Sequence, residues 1–256
     1  MKRMVHCAGY FAAVRITMAD SDRANGRMTL NKRRARVRRS MLLAALLLLS
    51  LSLCAQPSPQ TAGFGVCKPI SERTGDVGCW IIVDNPVGRL DQPEVFWYLD
   101  AYPTRAAAQE AKEAGGTVLE SLGKVWLLTI GRPGWHPAHK GERAAEIGPI
   151  PVPAGREYSA LYMEAILDPG MTSSIHTHSG PEAWFTAAGE TCLETPEGKF
   201  VGRSGGPPVI VPSGLPMLLT ATGTQQRRAV TLILHDSSKT PTTVVHDWSP
   251  KGLCKK

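Results

Sequence analysis

His176 and His178 are separated by one residue, and Glu182 follows four residues after the second histidine. On a β-strand, side chains at positions i and i+2 point to the same face, so both imidazoles can reach one point. Ser179-Gly180-Pro181 reads as a turn that returns Glu182 on the adjacent strand, on the same inner face. Two neutral imidazoles and a carboxylate form a facial set of metal ligands. That set suits Fe(II), and also Mn, Zn, Ni or Co, and it leaves coordination positions open for chemistry. The plain alternative is a pair of histidines that merely fill or decorate a strand.

Other residues extend or limit this reading. Alternation from Glu182 puts Trp184 on the same face, as a flat apolar wall of a substrate pocket, and sends Phe185 into packing on the other. Tyr158, Tyr162 and Glu164 share one face of residues 158–167, which makes Tyr162 and Glu164 either pocket residues or part of a polar outer face. His235 ends the apolar run 230–234 and is a candidate fourth ligand, or else a strand-end histidine near solvent. His136 and His139 lie in a Pro- and Gly-rich loop and read as solvated. Arg227-Arg228 reads as a turn or strand edge rather than a binding patch. The sequence offers no Gly-rich phosphate loop, no Ser/His/Asp order with a nucleophile elbow and no CxxC pair, so activated-serine hydrolysis and a Rossmann cofactor have no support.

The spacing from Gly170 through His176, His178 and Glu182 to Gly189 resembles the first signature of the cupins, a jelly-roll superfamily. Gly206, Pro212 and Gly214 fit the second signature, but Met217 stands where that signature has a histidine. The resemblance implies a mainly β fold, the double-stranded β-helix or jelly-roll barrel, holding a divalent metal ion (Fe, Mn, Zn or Ni) through His176, His178 and Glu182. Met217 then either lines the pocket or serves as a soft ligand favouring Cu(I). Two functions are compatible with it: a metal-dependent enzyme, of oxygenase or isomerase type, acting on a small organic molecule, or a non-catalytic module binding a metal or small ligand. A homodimer is a candidate assembly.

These residues need a scaffold, and the chain divides into four parts: a leader over 1–55, a small N-terminal α/β region over 56–148, the barrel over 149–236, and a tail over 237–256. The α/β region reads as a strand at 94–101, a helix at 103–114 and two strands within 117–130. From residue 150 onward, short apolar runs alternate with turns, the pattern of an all-β sandwich or barrel.

The formal net charge of +7 belongs to the leader. Residues 1–40 hold 11 of the 29 Lys and Arg but only 2 of the 22 Asp and Glu, leaving the rest at −2. A nucleic-acid surface is therefore not implied. A basic cluster at 32–39, an apolar run at 41–53 and Leu53-Cys54-Ala55 follow the order of a signal peptide, with Met28 a candidate start. The run is too short for a stable membrane span. The expectation is an exported protein, periplasmic or secreted, with lipoprotein anchoring through Cys54 the weaker option. Four cysteines follow the leader, and their even number suits two disulfides in an oxidising compartment. Of the three pairings, Cys67 with Cys79 and Cys192 with Cys254 is the first choice, while a buried free thiol at Cys192 stays open.

Overall fold

The computed structural model describes residues 63–139 and 141–254. The expected leader lies outside them. Among the described residues no helix is long and apolar enough to cross a membrane.

The chain opens with β1 (Gly63–Gly65), β2 (Lys68–Pro69) and the long β3 (Gly78–Leu90), followed by β4 (Glu94–Tyr102). Helix α1 (Arg105–Glu110) then leads into β5 (Gly116–Ser121), β6 (Lys124–Gly131) and β7 (Glu142–Pro151). The second half runs through β8 (Arg156–Leu167), β9 (Thr172–Ser173), β10 (His176–His178), β11 (Glu182–Ala188) and β12 (Glu190–Thr195). It finishes with β13 (Gly198–Arg203), β14 (Val209–Val211), β15 (Leu218–Thr222), β16 (Arg227–Asp236) and β17 (Thr242–Val244).

Two sheets face each other to form the barrel, one in the order β14-β11-β16-β8-β3-β2, the other β1-β9-β15-β12-β13. A four-stranded sheet, β5-β6-β4-β7, covers the outer face of the first. This layering explains why β8 and β16 are apolar on both faces, a pattern that a strand with one wet face would not show. Leu161, Met163, Ala165 and Leu167 of β8 enter the barrel core with Trp184, Leu193, Met217 and Ile233. Tyr158, Ala160 and Tyr162 point the other way, into a second core with Trp97, Trp126, Val230 and Leu232.

The boundaries drawn from sequence change accordingly. Strand β3 belongs to the barrel, because it pairs with β8 from Gly78↔Ile166 to Leu90↔Arg156. The region 56–148 is therefore not one separate unit. Helix α1 is shorter than the expected 103–114: Thr104 caps it by accepting from Ala107 N at 3.2 Å, and only Ala108 of its own residues is buried. The tail is part of the scaffold too. Strand β17 pairs with β10, Cys254 is bonded to Cys192, and the buried Glu194 accepts backbone N–H groups from Lys251, Gly252 and Leu253. Cys67 is bonded to Cys79, tying the N-terminal segment to β3.

Glu164 does not line the cavity beside His176 and His178. Its carboxylate faces the outer layer and accepts from Ser121 Oγ at 2.8 Å, Leu122 N at 2.6 Å and Arg73 Nη1 at 2.8 Å. A buried carboxylate with three donors is well compensated, and here it pins the β5–β6 turn to the barrel.

Candidate functional site

Strand β10 lies between two partners. On one side it pairs antiparallel with β17, His176 opposite Val244 and His178 opposite Thr242. On the other, His176 and Met217 exchange backbone hydrogen bonds of 3.1 and 2.9 Å. This fixes both histidines inward, 8% and 4% exposed, with ring centroids 4.7 Å apart. The turn at 179–181 then delivers Glu182, which is 4% exposed. Gly180 is required there because an added Cβ would sit 1.9 Å from the carbonyl oxygen of Leu234. Gly189 closes the same strand with a φ of +69°, and its missing Cβ leaves room for the backbone of Gln226 and Arg227.

The ring nitrogens are sorted by their neighbours. His176 Nδ1 donates to Ser174 O at 2.8 Å, and His178 Nδ1 donates to Pro241 O at 3.1 Å, with Thr242 Oγ1 also at 3.1 Å. A carbonyl only accepts, so each Nδ1 carries the proton and each Nε2 offers its lone pair. His178 Nε2 lies 3.7 Å from Glu182 Oε2, and neither atom has a hydrogen-bond partner. Two buried acceptors facing each other without a donor are costly unless something electropositive joins them. Among the described residues, however, no three or more His, Cys, Asp or Glu side chains are gathered into a group that could hold a metal ion.

Burial dominates the protonation of all three. It pushes His178 down to about 4, and lowers His176 with help from the neighbouring His178. It raises Glu182, against the opposing influence of His176 and Arg227. In metal-free protein, His178 binds its proton in the unfolded state near pH 6.5 but in the folded state only near 4. Its contribution is therefore complete above pH 6.5 and is lost as the pH falls to about 4, a change of about 3 kcal/mol. Glu182 acts in the opposite sense, because protonating its raised carboxyl relieves a burial penalty as the pH falls. Urea unfolding of chelator-treated protein at pH 7, 5.5 and 4 is expected to show a steeper acid loss in the native chain than in His178→Gln. Equal slopes would show that His178 is not buried as a neutral ring.

A cavity of about 300 Å³ adjoins the three residues. Its walls are mostly apolar, with Leu161, Met163, Ala165 and Leu219 inside and Phe64 and Val66 of the N-terminal segment at its edge. Beyond His176, His178 and Glu182, Arg227 is the one further ionisable side chain among the described residues that line it.

The additional residues expected near the site behave differently. Trp184 shares the inner face with Glu182 but is buried in the barrel core rather than along the cavity, its ring 5.8 Å from the guanidinium of Arg227. Met217 is wholly buried core and exchanges backbone hydrogen bonds with His176. His235 is not a free ligand: Nδ1 faces Asp236 O at 3.1 Å, and Nε2 is 3.1 Å from Asp84 Oδ1. Tyr162 faces away from the site and packs against Trp97 at 6.2 Å between centroids.

Three further residues line the cavity without a clear signal in the sequence. Pro241 and Thr242 come from the tail over 237–256, and no local pattern announces them. Arg227, which reads as part of a turn or strand edge, opens β16 and is 1% exposed. Alternation back along β16 from Ile233 through Thr231 and Ala229 carries the signal that it points inward.

No protein-family model matches the chain, and no curated protein matches it. Among solved structures it is similar to the capsular polysaccharide assembling protein CapF of Staphylococcus aureus, at 13% identity and a TM-score of 0.29, over 38% of this chain and 31% of that one. A cupin-like protein from Thermotoga maritima matches at 12% identity and a TM-score of 0.29, over 34% and 64% respectively. Oxalate decarboxylase from Bacillus subtilis matches at 22% and 0.29, over 39% and 27%. The match thus spans less than two thirds of the length of each. Likenesses this distant carry no argument, and the mainly β barrel expected here stands on its own two facing sheets.

Proposed function

We propose that this chain is an exported barrel protein that binds one divalent metal ion through His176, His178 and Glu182, beside a cavity for a small organic molecule. One observation carries the reading: the buried, unpartnered Nε2 of His178 and Oε2 of Glu182 face each other at 3.7 Å. Donors sharing an ion at about 2.1 Å each stand roughly 3 to 3.5 Å apart, so a small side-chain adjustment suffices. The backbone carbonyls on both Nδ1 atoms supply the outer support that ligating histidines use. The two disulfides fit an oxidising compartment and so support export.

A metal bound there would supply Lewis acidity or oxygen activation. The chain's own part is to keep both rings neutral, hold the carboxylate beside them, and exclude water with the apolar wall. A second reading, a binding module without catalysis, is favoured by the lining itself: apart from the three donors and Arg227, none of the described residues there is suited to act as a separate general acid or base. Titrating chelator-stripped protein with Mn(II), Fe(II), Zn(II) and Ni(II) by calorimetry tests the common premise. One equivalent per chain is expected with at least one of them, and no uptake of any would overturn it. Measuring O₂ consumption with candidate substrates on loaded protein then separates enzyme from binder.

A further inference from the structure

Arg227 is a buried charge with little compensation among the described residues. Its side chain is fully buried, and it lines the same cavity as His176, His178 and Glu182. Nε donates to Thr191 Oγ1 at 2.5 Å, and the guanidinium lies 5.8 Å from the Trp184 ring centroid. Nη2 has no hydrogen-bond partner. One hydroxyl and one aromatic ring are weak compensation for a buried cation, since a methionine would fill the space without the desolvation cost. Burial lowers Arg227 only to about 10, so it stays charged at neutral pH. Glu182 influences it electrostatically but does not pair with it directly.

We propose that Arg227 binds the carboxylate of a small, otherwise apolar ligand seated in this cavity. A guanidinium presents parallel N–H donors in the geometry a carboxylate accepts, and it is strongest where water is excluded. The remainder of the ligand is specified by the walls, chiefly Leu161, Met163 and Leu219. The rim agrees with this: Val66 and Val244 both line the cavity and are 40% and 44% exposed, an apolar lip on the way in. The ligand class is thus a monocarboxylic acid with a compact hydrocarbon or aromatic body. The proposal rests on the cavity being a ligand site, as proposed above, but not on the metal.

Benzoate and its neutral isostere benzamide are suitable probes, titrated by calorimetry into the full chain before and after loading with Mn(II). Benzoate is expected to bind at least about 10-fold more tightly than benzamide, the effect of one charge-assisted hydrogen bond. Arg227→Met, with its near-ultraviolet circular dichroism unchanged, is expected to lose that preference. Equal affinities in the native chain, or a preference that survives in Arg227→Met, would overturn the proposal. Should that variant fail to fold, the Arg227 guanidinium ¹H–¹⁵N resonance of the native chain decides: it is expected to move with benzoate and not with benzamide, and an unmoved signal counts against the role. A carboxylate preference without any metal uptake supports Arg227 and removes the metal. Metal uptake without the preference removes Arg227 alone.

Discussion

His178→Ala is expected to lower divalent-cation affinity by at least about 100-fold while leaving the barrel folded, because loss of an outer-shell partner alone costs 10- to 100-fold. Glu182→Ala and His176→Ala should do the same. Each removes one of only three donors, and the rest of the cavity offers mostly apolar side chains that cannot replace it. Thr242→Val gives a graded comparison, because Thr242 Oγ1 touches His178 Nδ1 while Pro241 O still orients the ring. Its loss should stay within about 10-fold. His136→Ala, in the exposed loop, should change nothing. The same series has a stability readout: a cation at 100 times its Kd stabilises the native chain by about 2.7 kcal/mol, and that increment should vanish in all three ligand variants. Full metal uptake by any of them would remove that residue from the site.

The second large effect concerns the tail. Cys192→Ser with Cys254→Ser is expected to cost about 4 kcal/mol, the chain-entropy value for a loop of 62 residues. Opening Cys67–Cys79, only 12 residues apart, should cost about 3 kcal/mol. The longer bridge matters beyond stability, because the tail it anchors carries β17, and β17 pairs with the strand of both histidines. Pro241 O, just before β17, holds the His178 ring. Metal affinity should therefore fall as well, within the 10- to 100-fold range of an outer-shell lesion. Unfolding in urea, read before and after the double exchange, gives the first number, and calorimetry the second. A loss below about 1 kcal/mol would mean that Glu194 and the strand pairing hold the tail unaided.

The barrel and the two-histidine strand are legible in the sequence because both depend on short-range period-two patterns. Glu182 could be placed as well, since the turn before it contains a glycine that the structure shows has no room for a side chain. The failures are all long-range. Tyr158, Tyr162 and Glu164 do share a face, but β8 is apolar on both sides, so nothing local says which face sees the cavity. His235 is directed by Asp84, 151 residues earlier in the chain. Strand β3 contains Pro86 and Gly88, which irregularities in its pairing with β8 absorb. Two adjacent arginines read as a turn or strand edge, and only the alternation of the strand that contains them turns Arg227 inward and leaves Arg228 on the other face.

Anomalous diffraction from crystals soaked in Mn(II) tests the metal site most directly. The expected result is a single strong peak in the cavity, within about 2.0–2.3 Å of His176 Nε2, His178 Nε2 and a Glu182 carboxylate oxygen. A cavity without a peak at saturating Mn(II), or a peak that any of the three residues fails to reach, would contradict it.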